Sequence, residues 1–186
     1  MLNAPNLLSA LRLLAAPFLL VLAWRGLATA FLACFAASLL SDVLDGLLAR
    51  GLRQRTDLGA KLDSWGDLAT YAVLPPSVWW LWPELIRQEA VFVTVVVVSY
   101  VLPTVVGFVK FRRLTSYHTR GAKLSALLMG PALLLLFGWG FPWLFRAAAI
   151  VLVVAELEEI AITVALPEWR ANVPSLRSAL RLIRRV

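Results

Sequence analysis

Nitrogen and sulfur ligands are nearly missing from this chain: its 186 residues include one cysteine, Cys34, and one histidine, His118. An internal disulfide is therefore excluded, and a zinc site, which draws on several such side chains, is not expected. Charge is also scarce. Asp, Glu, Lys and Arg make up 16% of the residues and hydrophobic residues 61%, with a mean hydropathy of +0.81. That balance fits a polytopic membrane protein and not a soluble domain. The N-terminus lacks a short apolar core followed by a small-residue cleavage site, so the first apolar run reads as a retained span and not as a signal peptide.

What is present is a series of long apolar runs. Segments of about 20 residues fall near 8–24, 27–50, 58–82, 89–110, 121–139 and 143–166. They predict an all-α fold: one domain over residues 1–186, with six transmembrane helices in one bundle. A short interfacial helix is expected at the start, where Pro5 favours a helix beginning and Arg12 can snorkel to the headgroups. Residues 167–186 read as a basic tail, with an amphipathic helix in which Leu176, Leu180, Leu182 and Ile183 alternate with arginines. Orientation follows from lysine and arginine, which accumulate in cytoplasmic loops. An even number of spans places Arg12, the cations flanking the second-to-third and fourth-to-fifth turns, and the tail on one side. Only Arg25, Arg87 and Arg146 fall on the other, a ratio of about 15 to 3. Both termini are thus expected in the cytoplasm, with the chain in the inner (cytoplasmic) membrane. Trp79, Trp80, Trp82, Trp139 and Trp143 sit near the opposite ends, as an interfacial belt should.

Against this apolar background stands one dense polar pattern. Asp42, Asp45, Gly46, Ala49 and Arg50 are followed after eight residues by Gly59, Asp63 and Asp67. A carboxylate in a membrane span costs roughly 2.5–3.5 kcal/mol, so four of them require protons, cations or partners. At 3.6 residues per turn, Asp42, Asp45 and Ala49 share one helix face, and Gly59, Asp63 and Asp67 form a stripe at i, i+4, i+8. Facing stripes of oxygen ligands suit hard divalent cations such as Mg²⁺ or Mn²⁺. If Arg50 marks the cytoplasmic end of its helix, Asp42 lies about 12 Å inside it, and Asp67 reaches a similar depth in the next.

The run from Asp42 to Asp67 resembles, at every fixed position, the signature of the CDP-alcohol phosphotransferase family of integral membrane phospholipid synthases. Pro5, Asn6 and Arg12 give a weaker echo of the family's N-terminal segment. The resemblance implies that Asp42, Asp45, Asp63 and Asp67 hold two divalent ions bridging the diphosphate of CDP-diacylglycerol. It also implies that Gly46, Ala49 and Gly59 leave room for the nucleotide, that Arg50 binds phosphate oxygens, and that Asp67 is the base for the acceptor hydroxyl. Membrane lipids and a second copy of the chain are the other implied partners, with small residues such as Ala30, Ala33 and Ala37 available for a helix contact. No nucleic acid is implied.

The acceptor is less sharply marked. Lys110, Arg112, Arg113, Arg120 and Lys123 lie beside the expected pocket, and glycerol 3-phosphate, whose extra phosphate needs cations, ranks first, with Arg113, Arg120 and Lys123 as its candidate ligands. Ser64 and Leu68, with Tyr71 and Pro75 downstream, point instead toward the serine or inositol branch. Inositol phosphate, inositol, serine, choline and phosphatidylglycerol therefore stay open. Glu156 and Glu159 share a face of the last span and are expected to pair with a lysine or arginine of a neighbouring helix or to line the pocket mouth. His118 reads as a solvated loop residue. A small cation transporter is the rival class. It would show acidic residues spread through the bilayer or an inverted repeat, and the sequence has neither.

Overall fold

The structure is a computed structural model and describes residues 4–51, 57–113, 117, 119–170 and 173–183. Within those helices, the side chains of residues 4–10, 42, 43, 45–51, 57–64, 67 and 71 lie outside the description. The described residues are helical with no strand. The helices are α1 (Ala4–Trp24), α2 (Ala28–Gly51), α3 (Asp57–Leu81), α4 (Pro83–Gln88), α5 (Ala90–Phe111), α6 (Arg120–Trp139), α7 (Pro142–Ala165) and α8 (Leu176–Ile183). Two of them, α5 and α6, are long and apolar enough to cross a membrane, and Leu11–Trp24 and Ala28–Ser41 are shorter apolar stretches. α7 has comparable length but carries Arg146, Glu156, Glu158 and Glu159.

The chain forms two compact units, Met1–Arg87 and Gln88–Val186. In the first, α1 packs against both α2 and α3. The turn from α1 to α2 closes in the Schellman pattern: Leu27 N–H donates to Leu22 O and Gly26 N–H to Ala23 O, each at 2.9 Å. Gly26 takes φ +70° there, a conformation that favours glycine because it lacks a Cβ. Phe31 is wholly buried between Phe35 and Trp82, whose ring meets it edge-on at 5.8 Å. Trp82 is thus half-buried in the unit, whereas Trp79, Trp80, Trp139 and Trp143 are exposed, as interfacial residues would be.

Two local expectations are corrected. No break separates an interfacial N-terminal helix from the first span, because α1 runs unbroken from Ala4 through Pro17. Arg12 does not snorkel. It is only 4% exposed, since helical register places it on the same packed stripe as Ala16, Leu19 and Ala23.

In the second unit, α7 is the shared partner of α5, α6 and α8. Alanines 148, 149 and 155 are fully or almost fully buried on it, which lets the neighbouring helices approach closely. One close approach is at Gly121, where a Cβ would lie 3.0 Å from Ala155 Cβ. Gly121→Ala is expected to lower the thermal midpoint by an amount equivalent to about 1–3 kcal/mol, because neither helix backbone can yield cheaply. An unchanged midpoint would show that the α6–α7 contact is loose. Along α5, Val91, Val97, Val98, Val101, Val105 and Val109 remain exposed. An apolar face of this extent is suited to lipid or to another protein surface.

Candidate active site

The site residues read from the sequence fall on the facing ends of α2 and α3 in the chain. Asp42, Asp45, Gly46, Ala49 and Arg50 belong to α2, and Gly59, Asp63 and Asp67 to α3. Their side chains lie outside the described residues, but the described neighbours fix which face each helix buries. On α2 the buried positions are Phe31, Phe35 and Ser38, and the exposed ones Ala33, Ala37, Leu40 and Leu44. A rotation of 100° per residue puts positions 42, 45 and 49 in helical register with Phe31, Phe35 and Ser38. On α3 the exposed face carries Trp65, Leu68, Ala72, Pro75 and Trp79, and the buried one Gly66, Ser77 and Val78. Positions 59, 63 and 67 fall opposite the exposed face. The two stripes belong to helices that share α1 as partner.

Thr70 Oγ1 donates to Gly66 O at 2.9 Å, tying its hydroxyl back into the helix. Ser77 is fully buried and its hydroxyl has no partner among the described residues. Among the described residues no group of three or more His, Cys, Asp or Glu is placed to hold a metal ion. The donor set of the stripes, four carboxylates, suits hard divalent cations.

The three candidate acceptor residues have separate settings in the second unit. Arg113 is exposed, with its guanidinium 5.7 Å from the ring centre of Trp169. Arg120 opens α6 and lines a cleft with Glu158 and α8. Lys123 is exposed one turn further along α6. His118 lies outside the described residues.

The segment carrying these cations is held by a network that sequence reasoning missed. Tyr117, 1% exposed, shares a 3.0 Å hydrogen bond with Thr163 Oγ1, which itself donates to Glu159 O at 2.9 Å. Burial pushes the Tyr117 phenol up and the nearby Glu159 charge adds to this, against a downward pull from the Thr163 bond. Its contribution to stability is therefore present below the ordinary tyrosine pKa of about 10 and is lost as pH rises through the raised value. Thr119 caps α6 by accepting from Ala122 N–H at 3.1 Å and donates to Glu159 Oε1 at 3.3 Å. The hydroxyl donor of a helix cap has thus reached Glu159, which the sequence paired with a cation. Thr119→Ala, which removes both bonds, should cost about 1–2 kcal/mol in a thermal-midpoint measurement; a loss under ~0.5 kcal/mol would show that water replaces both.

Lys110 is also committed structurally. Its Nζ donates to the carbonyls of Thr163, Val164 and Leu166 at 2.8–2.9 Å, satisfying the C-terminal end of α7 and complementing its dipole. A threonine preceding a helix start is a legible cap signal. The Lys110 contacts span more than 50 residues and leave no such trace.

Part of the chain is 36% identical over 90 residues to the CDP-diacylglycerol--glycerol-3-phosphate 3-phosphatidyltransferase of Salmonella choleraesuis (strain SC-B67). The aligned part is 42% of this chain and 48% of that relative, so the chain spans about half the length of the curated relative it matches. No solved structure matches the chain. Residues 2–166 match the family model for CDP-alcohol phosphatidyltransferase, a stretch that contains both aspartate stripes and all the helices from α1 to α7, and the chain belongs to that family.

Proposed function

We propose that the protein transfers the phosphatidyl group of CDP-diacylglycerol to the hydroxyl of a small polar alcohol, releasing CMP. The observation that carries this reading is the match of residues 2–166 to the family model, a stretch that includes the whole aspartate pattern. Asp42, Asp45, Asp63 and Asp67 would hold two divalent ions, Mg²⁺ or Mn²⁺, which when bound neutralise charge on the diphosphate. Arg50 supplies a fork of donors to phosphate oxygens. Small residues at 46, 49 and 59 leave space against the helices for the nucleotide. Asp67 accepts the proton of the acceptor hydroxyl, the hydroxyl oxygen attacks the phosphorus that bears diacylglycerol, and the bond from that phosphorus to CMP breaks.

Glycerol 3-phosphate is the proposed acceptor. The name of the Salmonella relative supports it, as do the cations Arg113, Arg120 and Lys123, assigned here to the acceptor phosphate. Six spans, formed by α1, α2, α3, α5, α6 and α7 in one domain, are proposed for a cytoplasmic membrane protein. The lysine and arginine distribution supports both termini and the site on the cytoplasmic side. A homodimer is proposed, and the exposed Ala30, Ala33 and Ala37 on α2 are a surface that suits close helix contact.

The deciding experiment is CMP release by the purified protein with CDP-diacylglycerol and Mg²⁺ or Mn²⁺, offered glycerol 3-phosphate, inositol phosphate, inositol, serine, choline and phosphatidylglycerol in separate reactions. Release with glycerol 3-phosphate alone, abolished by EDTA, is the expected result. Release with a different alcohol would keep the reaction and replace the acceptor. Absence of release with all six, together with no binding of cytidine nucleotides, would overturn the reading.

A further inference from the structure

The second unit contains a cleft of about 620 Å³ lined by Arg120, Glu158, Ser175, Arg177, Ser178 and Arg181, among others. That is roughly twenty times the ~30 Å³ share of a water molecule, so the space admits more than a small inorganic ion. Its walls are rich in donors and poor in acceptors. Three arginines line it with one carboxylate, Glu158 Oε1 already accepts the Leu176 N–H at 3.0 Å, and the Ser175 and Ser178 hydroxyls share a 3.1 Å hydrogen bond with each other. Among the described residues no ion pair engages Arg120, Arg177 or Arg181.

The arginines stand on a fixed support. Arg177 and Arg181 are one turn apart on α8, so they share a face. Ala179 on the same helix is fully buried in a core with Tyr117, Ile162, Leu166 and Val173. The start of α8 satisfies its own backbone: Glu158 takes the Leu176 N–H, and Ser175 Oγ takes the Ser178 N–H at 3.3 Å. The helix terminus is therefore occupied by protein groups, and the capacity of the cleft lies in its side chains. Three cations held together around one carboxylate repel one another until an anion joins them, and planar guanidiniums match the oxygens of a phosphate in paired hydrogen bonds.

We propose that this cleft binds a phosphate group, carried by an anionic lipid headgroup or by a soluble phosphate ester. Ser175, Leu176, Arg177, Ser178, Leu180 and Arg181 lie beyond residue 166, where the family match ends. The site therefore goes beyond the proposed transferase chemistry, with which it shares only Arg120.

The test leaves Arg120 untouched. Purified full-length protein in a non-ionic detergent is titrated calorimetrically with inorganic phosphate, glycerol 3-phosphate, short-chain phosphatidylglycerol and, as the neutral comparison, short-chain phosphatidylcholine. The parent is compared with an Arg177→Gln/Arg181→Gln protein and with an Arg25→Gln/Arg170→Gln protein, which loses the same charge outside the cleft. The expected result is binding of at least one phosphate-bearing anion that weakens about tenfold or more in the cleft variant and by less than about twofold in the other. A response to the soluble anions identifies a free phosphate ester as the source, and a response to phosphatidylglycerol alone identifies a headgroup. No saturable binding, binding of phosphatidylcholine equal to that of phosphatidylglycerol with no response to the soluble anions, or an equal loss in both variants would overturn the proposal. CMP release measured on the same proteins separates the two readings, because an inactive parent that still binds phosphate through Arg177 and Arg181 sinks only the transferase.

Discussion

Asp67→Asn is expected to lower the rate of CMP release by about 10²–10⁴-fold, the range that a positioned general base contributes, while leaving the helical content unchanged. Asparagine has nearly the same shape as aspartate and keeps the place of residue 67 on α3, so helix packing has no reason to change. What it removes is the negative charge and the basic oxygen. In the proposed chemistry Asp67 has two duties, holding a divalent ion and accepting the hydroxyl proton, and a carboxylate beside a metal ion is a weak base until the alcohol is bound close by. The two duties separate by titrating Mn²⁺ in the variant. Activity that returns at high Mn²⁺ assigns Asp67 mainly to ion binding, and activity that stays lost at saturation assigns it to proton transfer. Turnover within about tenfold of the parent at ordinary Mg²⁺ would remove Asp67 from the mechanism.

The second large effect is structural. Glu89→Ala should destabilise the protein by about 2–4 kcal/mol, a value discounted from the 3–5 kcal/mol typical of fully buried pairs because the Arg146 side chain is 33% exposed. Arg146 Nε and one terminal nitrogen donate to the two carboxylate oxygens of Glu89 at 2.9 and 2.7 Å, a bidentate fork. The Glu89 side chain is only 5% exposed. Arg146 also lies against the rings of Phe92 and Trp143, 5.4 and 5.1 Å from their centres. Removing the carboxylate strands a guanidinium among aromatic side chains with its main acceptor gone. The paired change Glu89→Leu/Arg146→Met should recover most of the loss, because it deletes both charges and keeps apolar volume. Thermal unfolding of the three variants in detergent measures this. A Glu89→Ala midpoint indistinguishable from the parent would mean that water solvates Arg146 as well as the carboxylate does.

Several elements were legible because they rest on local periodicity. The expected spans 58–82, 89–110, 121–139 and 143–166 correspond to α3, α5, α6 and α7 within a residue or two at each end, since a long apolar run bounded by Gly, Pro or charged residues has few alternatives to a helix. The basic tail likewise forms α8, where apolar and cationic positions recur at helical spacing. The short helix α4 was not foreseen, because six residues are too few for a periodic signal.

The sequence alone determined the aspartate stripes and their membership of two successive helices, because a rigid 100° rotation per residue converts spacing into register. It also determined the family, through residues at fixed gaps. Tertiary structure decided which cations are free to meet a ligand. Lys110, Arg113 and Arg120 read alike along the chain, yet Lys110 closes the end of α7, Arg113 lies against Trp169 and Arg120 lines a cleft. Arg12 and Arg146, which the chain presents as interfacial charges, are drawn into packed settings by neighbours that only folding supplies. The physical reason is range. Helical register acts over a few residues, whereas the partner of a charge is set by whichever distant group the fold brings within about 3 Å.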